Sequence, residues 1–248
     1  MRLSYNNSDI TSAFKIIKCV HDMYTEKKAD TLCVKLYDPS GAWINWKPEA
    51  GDEIRCQFNN ADTGIMYVNS IVPEGTCITF FASSIRKADM LPRQKSWERV
   101  YFKQIVDEIG ERNGMAVTYY GVEDKLYGWI SQDDVNDYQF LYKLCVQEGC
   151  SFVVYNKDLH VFNLDYMYSQ KVLVKITAPF NSEFRWIQTD DNVTGVFKDP
   201  AKCLDTISAG SVVNLSDSLG RYSGKAFIKH IRFDYVNKST KVWFKEVT

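Results

Sequence analysis

Alternation with a period of two runs through the first third of the chain. Leu32, Val34 and Leu36 interleave with Cys33, Lys35 and Tyr37, and Ile54, Cys56 and Phe58 with Glu53, Arg55 and Gln57. That is the spacing of a half-buried strand. Residues 14–20, 65–72 and 76–82 are further strand-like runs, with turn clusters at 59–64 and 73–75. Residues 10–86 are expected to form a small antiparallel barrel or sandwich.

The period then changes. Arg86, Lys87, Asp89, Pro92, Arg93, Gln94 and Lys95 read as a polar linker. Ser96 is an N-cap candidate for a helix over 96–114, in which Trp97, Val100/Tyr101, Gln104/Ile105 and Glu108/Ile109 follow helical spacing and Asn113-Gly114 closes the last turn. A strand-like piece at 129–132 follows. A second helix spans about 134–148, with cap candidates Asp133, Asp134, Asn136 and Asp137, an apolar stripe of Phe140, Leu141, Leu144 and Cys145, and Gly149 at its end. Residues 151–163 read as a hairpin. Beyond this α/β island come a β-like run at 172–176 and a loop-rich region that holds Pro179, residues 184–191 and Pro200. Strand signals resume at 211–215, 225–233 and 240–247.

The two β-rich segments resemble each other. Gly51-Asp52-Glu53-Ile54, Gly64, Tyr67-Val68-Asn69-Ser70-Ile71 and Thr76-Cys77-Ile78 have counterparts in Gly210-Ser211-Val212-Val213, Gly224, Phe227-Ile228-Lys229-His230-Ile231 and Thr240-Lys241-Val242. The later gap differs by four residues, a hairpin-loop change. A duplication is expected.

Composition narrows the class. The 248 residues are 45% hydrophobic, 25% charged and 14% aromatic, with a formal net charge of −1. These values suit a β-rich globular protein and argue against a globally basic nucleic-acid binder. No run has the length of a membrane span, and Met1 to Asp9 lack the apolar core of a signal peptide. The seven cysteines are odd in number and show no paired Cys-x-x-Cys spacing, so they read as small buried hydrophobes of a protein made in a reducing cytosol.

Catalytic signals are sparse. His21, His160 and His230 match no metal spacing, and neither a nucleophile elbow nor a phosphate-cradling glycine loop is present. The pairs Asp52-Glu53, Asp133-Asp134 and Asp190-Asp191 could supply acid/base carboxylates, but they sit at turns and a helix start, where capping and solvation account for them. The basic run from Arg86 to Lys95 is read as a solvated linker in preference to a phosphate contact. Trp43, Trp46, Trp97, Trp129, Trp186 and Trp243 are scattered, which favours core use over a sugar platform. No catalytic, cofactor or metal residue is assigned.

One stretch carries a resemblance. Gln132, then Asp137-Tyr138-Gln139-Phe140-Leu141-Tyr142-Lys143-Leu144, then Glu148-Gly149-Cys150-Ser151-Phe152, then Leu159-His160-Val161-Phe162 is similar to the pattern of the contractile-tail baseplate hub family. That family comprises phage late-control protein D-like proteins and the related hub part of type VI secretion spike proteins. Ser96-Trp97 through Asn113-Gly114 looks like its preceding helix, and Phe184-Arg185-Trp186 with Asp199-Pro200 like its return to a second barrel. The N-terminus up to about Tyr24 matches only loosely.

The resemblance implies a β-dominated α+β fold, with two tail-tube-like antiparallel β-barrel domains flanking a small α/β insertion domain. The expected divisions are residues 1–92, 93–168 and 169–248. It implies a non-enzymatic hub of a phage tail, bacteriocin or other contractile injection particle, made in the bacterial cytoplasm. As a homotrimeric ring it would join a hexameric tail tube or tube initiator to a trimeric central spike. Other baseplate proteins would be neighbours, and DNA would pass through the central channel. Family members often continue into a spike or hydrolase domain. This chain stops at Thr248, so such a part is expected on a separate chain. The alternatives are a tail-associated cell-wall hydrolase and a carbohydrate-binding module.

Overall fold

The computed structural model describes residues 1–25, 29–178, 184–189, 192–200 and 207–247. Pro179, Cys203 and the Asp190-Asp191 pair lie outside the described residues, as do the side chains of Asp199 and Pro200.

The first β segment holds β1 (Arg2–Tyr5), β2 (Ser8–Asp9), β3 (Lys15–Tyr24), β4 (Thr31–Tyr37), a one-turn helix α1 (Trp43–Trp46), β5 (Glu53–Phe58), β6 (Ala61–Asp62), β7 (Met66–Glu74) and β8 (Cys77–Ser83). A 3-10 turn at Lys87–Met90 leads to the island: β9 (Arg93–Tyr101), α2 (Phe102–Arg112), β10 (Ala116–Tyr120), β11 (Leu126–Val135), α3 (Asp137–Gln147), β12 (Cys150–Tyr155), β13 (Asp158–Asn163) and α4 (Leu164–Tyr168). The second β segment holds β14 (Lys175–Ala178), β15 (Arg185–Thr189), β16 (Asn192–Pro200), β17 (Val212–Asp217), β18 (Ser223–Asp234) and β19 (Ser239–Glu246). The fold is β-dominated α+β, as expected.

Each part has an apolar cluster, and the first also takes in Phe233 and Tyr235 of the second β segment. Leu32, Val34 and Leu36 pack with Ile54, Cys56, Ile78 and Phe80 in the first, so the inward members of each alternation meet. Phe102, Ile105 and Ile109 of α2 face Phe140, Leu141 and Leu144 of α3 in the island. Phe197, Ile228, Val242 and Phe244 centre the second β cluster. The two β segments nonetheless share one hydrogen-bonded path, β15-β16-β19-β18-β3-β4-β8-β7-β5-β1-β2, with β6 on β5, and with β17 on β18 and β14 parallel to β17.

The repeat extends to the backbone. β3-β4-β8-β7-β5 and β15-β16-β19-β18-β17 are the same order of five strands. Gly51 N–H donates to Val68 O (2.7 Å) and Val68 N–H to Asp52 O (2.8 Å); Gly210 N–H donates to Ile228 O (2.8 Å) and Ile228 N–H to Ser211 O (2.9 Å). Gly51 and Gly210 adopt φ of +97° and +93°, a region that glycine enters at little cost. Both inner hairpins carry a register shift at the matching place, between Val68 and Ser70 and between Ile228 and His230. Glu74 stands opposite Cys77, and Asp234 opposite Ser239. The two hairpin loops therefore differ by two residues, not the four expected from the sequence alignment.

Ser96 is not an N-cap. It lies in β9, which pairs with β11, and α2 starts at Phe102, where Gln104 Oε1 accepts the Tyr101 N–H at 2.9 Å. The cause is Arg99, whose φ of +47° interrupts the strand's alternation. Trp97 and Val100, three apart, then both face the island cluster, and the strand mimics helical spacing. The expected linker is likewise ordered. Arg86 pairs with Asp89, Arg93 with Asp137 and Lys95 with Glu108. The loop-rich region contains the β15–β16 hairpin, whose strand signal is diluted by Gly195 and by polar alternation on its exposed face. Among the cap candidates Asn136 caps α3, its Oδ1 accepting the Gln139 N–H at 2.8 Å.

A buried carboxylate ties the island together. Asp137, fully buried at the start of α3, accepts from Asn113 Nδ2 (2.9 Å) and Gln132 Nε2 (3.0 Å). Arg112 Nη2 lies 3.1 Å and Arg93 Nε 3.5 Å away as ion pairs. Four elements thus meet on one side chain: β9, the end of α2, β11 and α3.

Candidate functional site

The seam between the two β segments is the β3–β18 pair. β3 has β4 on one side and β18 on the other, with Tyr24, Asp22 and Val20 opposite His230, Arg232 and Asp234. Asp22 Oδ1 accepts from His230 Nε2 (2.7 Å) and Arg232 Nε (2.8 Å), and its Oδ2 from Arg232 Nη2 (3.1 Å). Burial pushes this carboxyl up, but the hydrogen bonds from His230 and Arg232 outweigh it and hold it below the usual carboxylate range. His230 is sandwiched, with its ring 4.3 Å from Tyr24 and 4.0 Å from Trp243, both near parallel. Thr25 completes the seam, its N–H and Oγ1 both donating to Lys229 O at 3.1 and 2.9 Å.

Behind the seam lies a cavity of about 460 Å³ whose wall combines both β segments and the island. His21, Asp30 and Asp62 face it from the first segment, Tyr120, Tyr155 and His160 from the island. His21 is fully buried and neither ring nitrogen has a hydrogen-bond partner among the described residues; Nε2 stands 3.9 Å from Asp30 Oδ2. Burial depresses His21 to about 4, against the pull of Asp22 and Asp62. Burial raises Asp30 to about 7, against the Tyr24 N–H that donates to it at 2.8 Å. Asp30 can therefore take up and release a proton near neutrality, while His21 stays uncharged there. Asp62 stays low because hydrogen bonds from Arg55, Gln57 and the Gly64 N–H outweigh its burial.

Among the described residues, those weighed as acid/base or binding candidates do not converge here. Asp52 accepts from Tyr5 (2.5 Å), Asn6 (2.9 Å) and the Glu49 N–H (2.7 Å), while Glu53 pairs with Lys157 at 2.6 Å. Asp133 accepts from Ser131 at 2.7 Å, and Asp134 lies within β11 at its register shift, with φ +49°. The tryptophans are dispersed. Trp46 packs on Tyr5 and Phe14, Trp97 stacks on Phe140, Trp186 lies by Phe184 and Tyr222, and Trp129 is exposed on the β9–β11 ribbon. Among the described residues no group of three or more His, Cys, Asp or Glu could hold a metal, and no helix is long and apolar enough to cross a membrane. Asp30 and Asp62 escaped the sequence reading. Nothing local marks either one, since their setting depends on contacts distant in sequence.

No family model matches the chain, and no curated protein sequence matches it. Solved structures do. The 43 kDa tail protein of prophage MuSo2 from Shewanella oneidensis superposes with a TM-score of 0.73 at 11% identity, over 98% of this chain and 95% of that one. A tail protein from Neisseria meningitidis MC58 gives 0.73 at 11% identity, over 99% and 95%. The E. coli c3393 protein, a type VI secretion component with structural similarity to the T4 tail proteins gp27 and gp5, gives 0.68 at 9% identity, over 100% and 76%. At these identities it is the fold that is shared: along nearly its whole length, the chain has the fold of phage tail proteins and of a type VI secretion component.

Proposed function

We propose that this protein is a structural hub of a contractile phage tail or tail-like injection particle. Its three parts, residues 1–92, 93–168 and 169–248, act as two tube-like units and an insertion between them. Three copies form a ring that presents six tube-like units to a hexameric tail tube and a threefold face to a central spike, with other baseplate proteins around it and a channel through which DNA passes. It works without catalysis, in the tail baseplate, after synthesis in the bacterial cytoplasm.

The observation that carries this reading is the internal repeat within a tail-protein fold. The matching glycine turns, register shifts and strand order make the chain two copies of one unit. A protein that converts threefold into sixfold symmetry needs two equivalent units per subunit. Electron microscopy of the purified protein, alone and with tube and spike proteins, tests it. A three-copy ring with a central channel is expected. A lone chain that never joins tube or spike rejects the proposal, and clearing of peptidoglycan by the isolated chain replaces it with the hydrolase reading.

A further inference from the structure

The seam inside the chain points to the seam between chains. In the repeat, β3 corresponds to β15 and β18 to β7. Inside the chain β3 lies on β18, the first strand of one unit on the fourth strand of the other. The reciprocal pair, β15 on β7, is not made within the chain. β15 ends the sheet, with β16 as its partner among the described strands. β7 meets β5 only at Met66 and Tyr67, so beyond the Val68–Ser70 register shift its outer edge faces no described strand. We infer that β15 of one copy pairs antiparallel with β7 of a second copy, repeating between chains the seam that β3 and β18 make within one.

The register follows from backbone pairing alone. His230 is opposite Trp243, Trp243 opposite Val196, and Val196 opposite Arg185. In the first unit the same walk runs from Ser70 to Phe81, Cys33 and Val20. Ser70 thus matches His230, and Arg185 matches Val20. Carrying Tyr24–His230, Asp22–Arg232 and Val20–Asp234 across the repeat sets Thr189 opposite Ser70, Ile187 opposite Val72, and Arg185 opposite Glu74 of the second copy.

The side chains, which played no part in setting this register, suit it. Ile187 is 68% and Val72 36% exposed in the single chain, and the pairing covers each with the other. Arg185 falls opposite Glu74, whose carboxylate also pairs with Lys35 of its own chain at 2.7 Å. Trp186 falls opposite Pro73. The Tyr235 N–H donates to Cys19 O, which places the matching odd positions of β7, Ile71 and Pro73, on the edge that faces β15. Pro73 supplies a carbonyl but no N–H there, so its pair with Trp186 is limited to one of the two ladder hydrogen bonds.

Such a contact is head-to-tail, each copy offering one β15 and one β7 edge, and it closes into a ring if the rotation permits. The pairing rests on the repeat; only the count of three rests on the proposed function. Opposed residues at a position flanked by hydrogen-bonded pairs have Cα atoms about 4.5 Å apart, within disulfide reach. The test is to mix the single variants Val72→Cys and Ile187→Cys under oxidation, beside the wild type and each variant alone. A disulfide-linked dimer only in the mixture, mapped to positions 72 and 187, is expected. Ser70→Cys with Ile187→Cys, out of register, should not link. Ile187→Glu should sediment as a single chain with an unchanged circular dichroism spectrum. A ring that forms without the 72–187 link, or that survives Ile187→Glu, overturns the pairing while leaving the hub reading standing. Single chains at every concentration, with and without tube and spike proteins, overturn both.

Discussion

Replacing Asp137 by alanine removes the acceptor on which Asn113, Gln132, Arg93 and Arg112 converge. Hydrogen bonds to a charged group contribute about 1.5–3 kcal/mol each, so the two well-aligned bonds from Asn113 and Gln132 set a loss of about 3–6 kcal/mol. The arginines add less. Their side chains are 39% and 21% exposed, and water recovers part of what the carboxylate supplied. Breaking a buried ion pair from one side costs about 3–5 kcal/mol, so about 4 kcal/mol is expected. At about 2–4 °C per kcal/mol for a chain of this size, the melting midpoint falls by about 8–16 °C. Asp137→Asn keeps one acceptor and should lose about half as much free energy. Urea unfolding followed by tryptophan fluorescence is the assay. Trp97 stacks 5.4 Å from Phe140 in the same cluster, so it reports on the island directly. A loss below about 1 kcal/mol for Asp137→Ala would mean that the carboxylate does not organise the four elements around it.

The His21–Asp30 pair makes a signed prediction. Asp30, raised from 3.8 to about 7, binds its proton more tightly when folded, so it stabilises at low pH and loses that contribution as pH rises through 7. His21, lowered from 6.5 to about 4, contributes above pH 6.5 and loses its contribution as pH falls through 4. At about 1.4 kcal/mol per pH unit each effect is on the order of 3–4 kcal/mol, and between pH 4 and 6.5 they oppose each other. Wild-type stability should be nearly flat there, rising with pH in Asp30→Asn and falling in His21→Gln; parallel curves for all three proteins would refute the assignment. Leu141→Asp should cost several kcal/mol by burying an unpaired charge between α2 and α3, read as a lowered urea midpoint. Gly195→Ala should destabilise the second β segment in thermal melts, because its Cβ would come within 2.6 Å of Arg185 O and of the Phe244 ring.

Legibility followed the range of the interactions. The stripe Phe140, Leu141, Leu144 and Cys145 was readable because helical packing is periodic, and all four are buried where expected. β4 and β5 were readable for the same reason. β9 was misread because Arg99 imposes a spacing of three on a strand, an effect of backbone conformation that periodicity cannot distinguish from a helical turn. The repeat was visible in glycines and apolar positions, but its matching register shifts became apparent only from the pairing. The cavity was invisible, since His21, Asp30 and Tyr155 are brought together by parts of the chain that no local pattern relates.

The β3–β18 seam also sets an order of events in synthesis. Asp22 and its partner His230 are 208 residues apart. β3 therefore leaves the ribosome long before the strand that covers it, and for that interval its outer edge is open beside β4. Lys15 and Lys18, exposed on β3, are the charges that discourage another strand from adding there. The loop to be closed is among the longest the chain can make, so the seam is expected to form late, after the local hairpins and the island helices. A nascent chain at that stage displays the open edges of β3 and β7 while still lacking β15 and β18. On a crowded polysome, neighbouring chains held at that point are the ones most exposed to pairing out of turn.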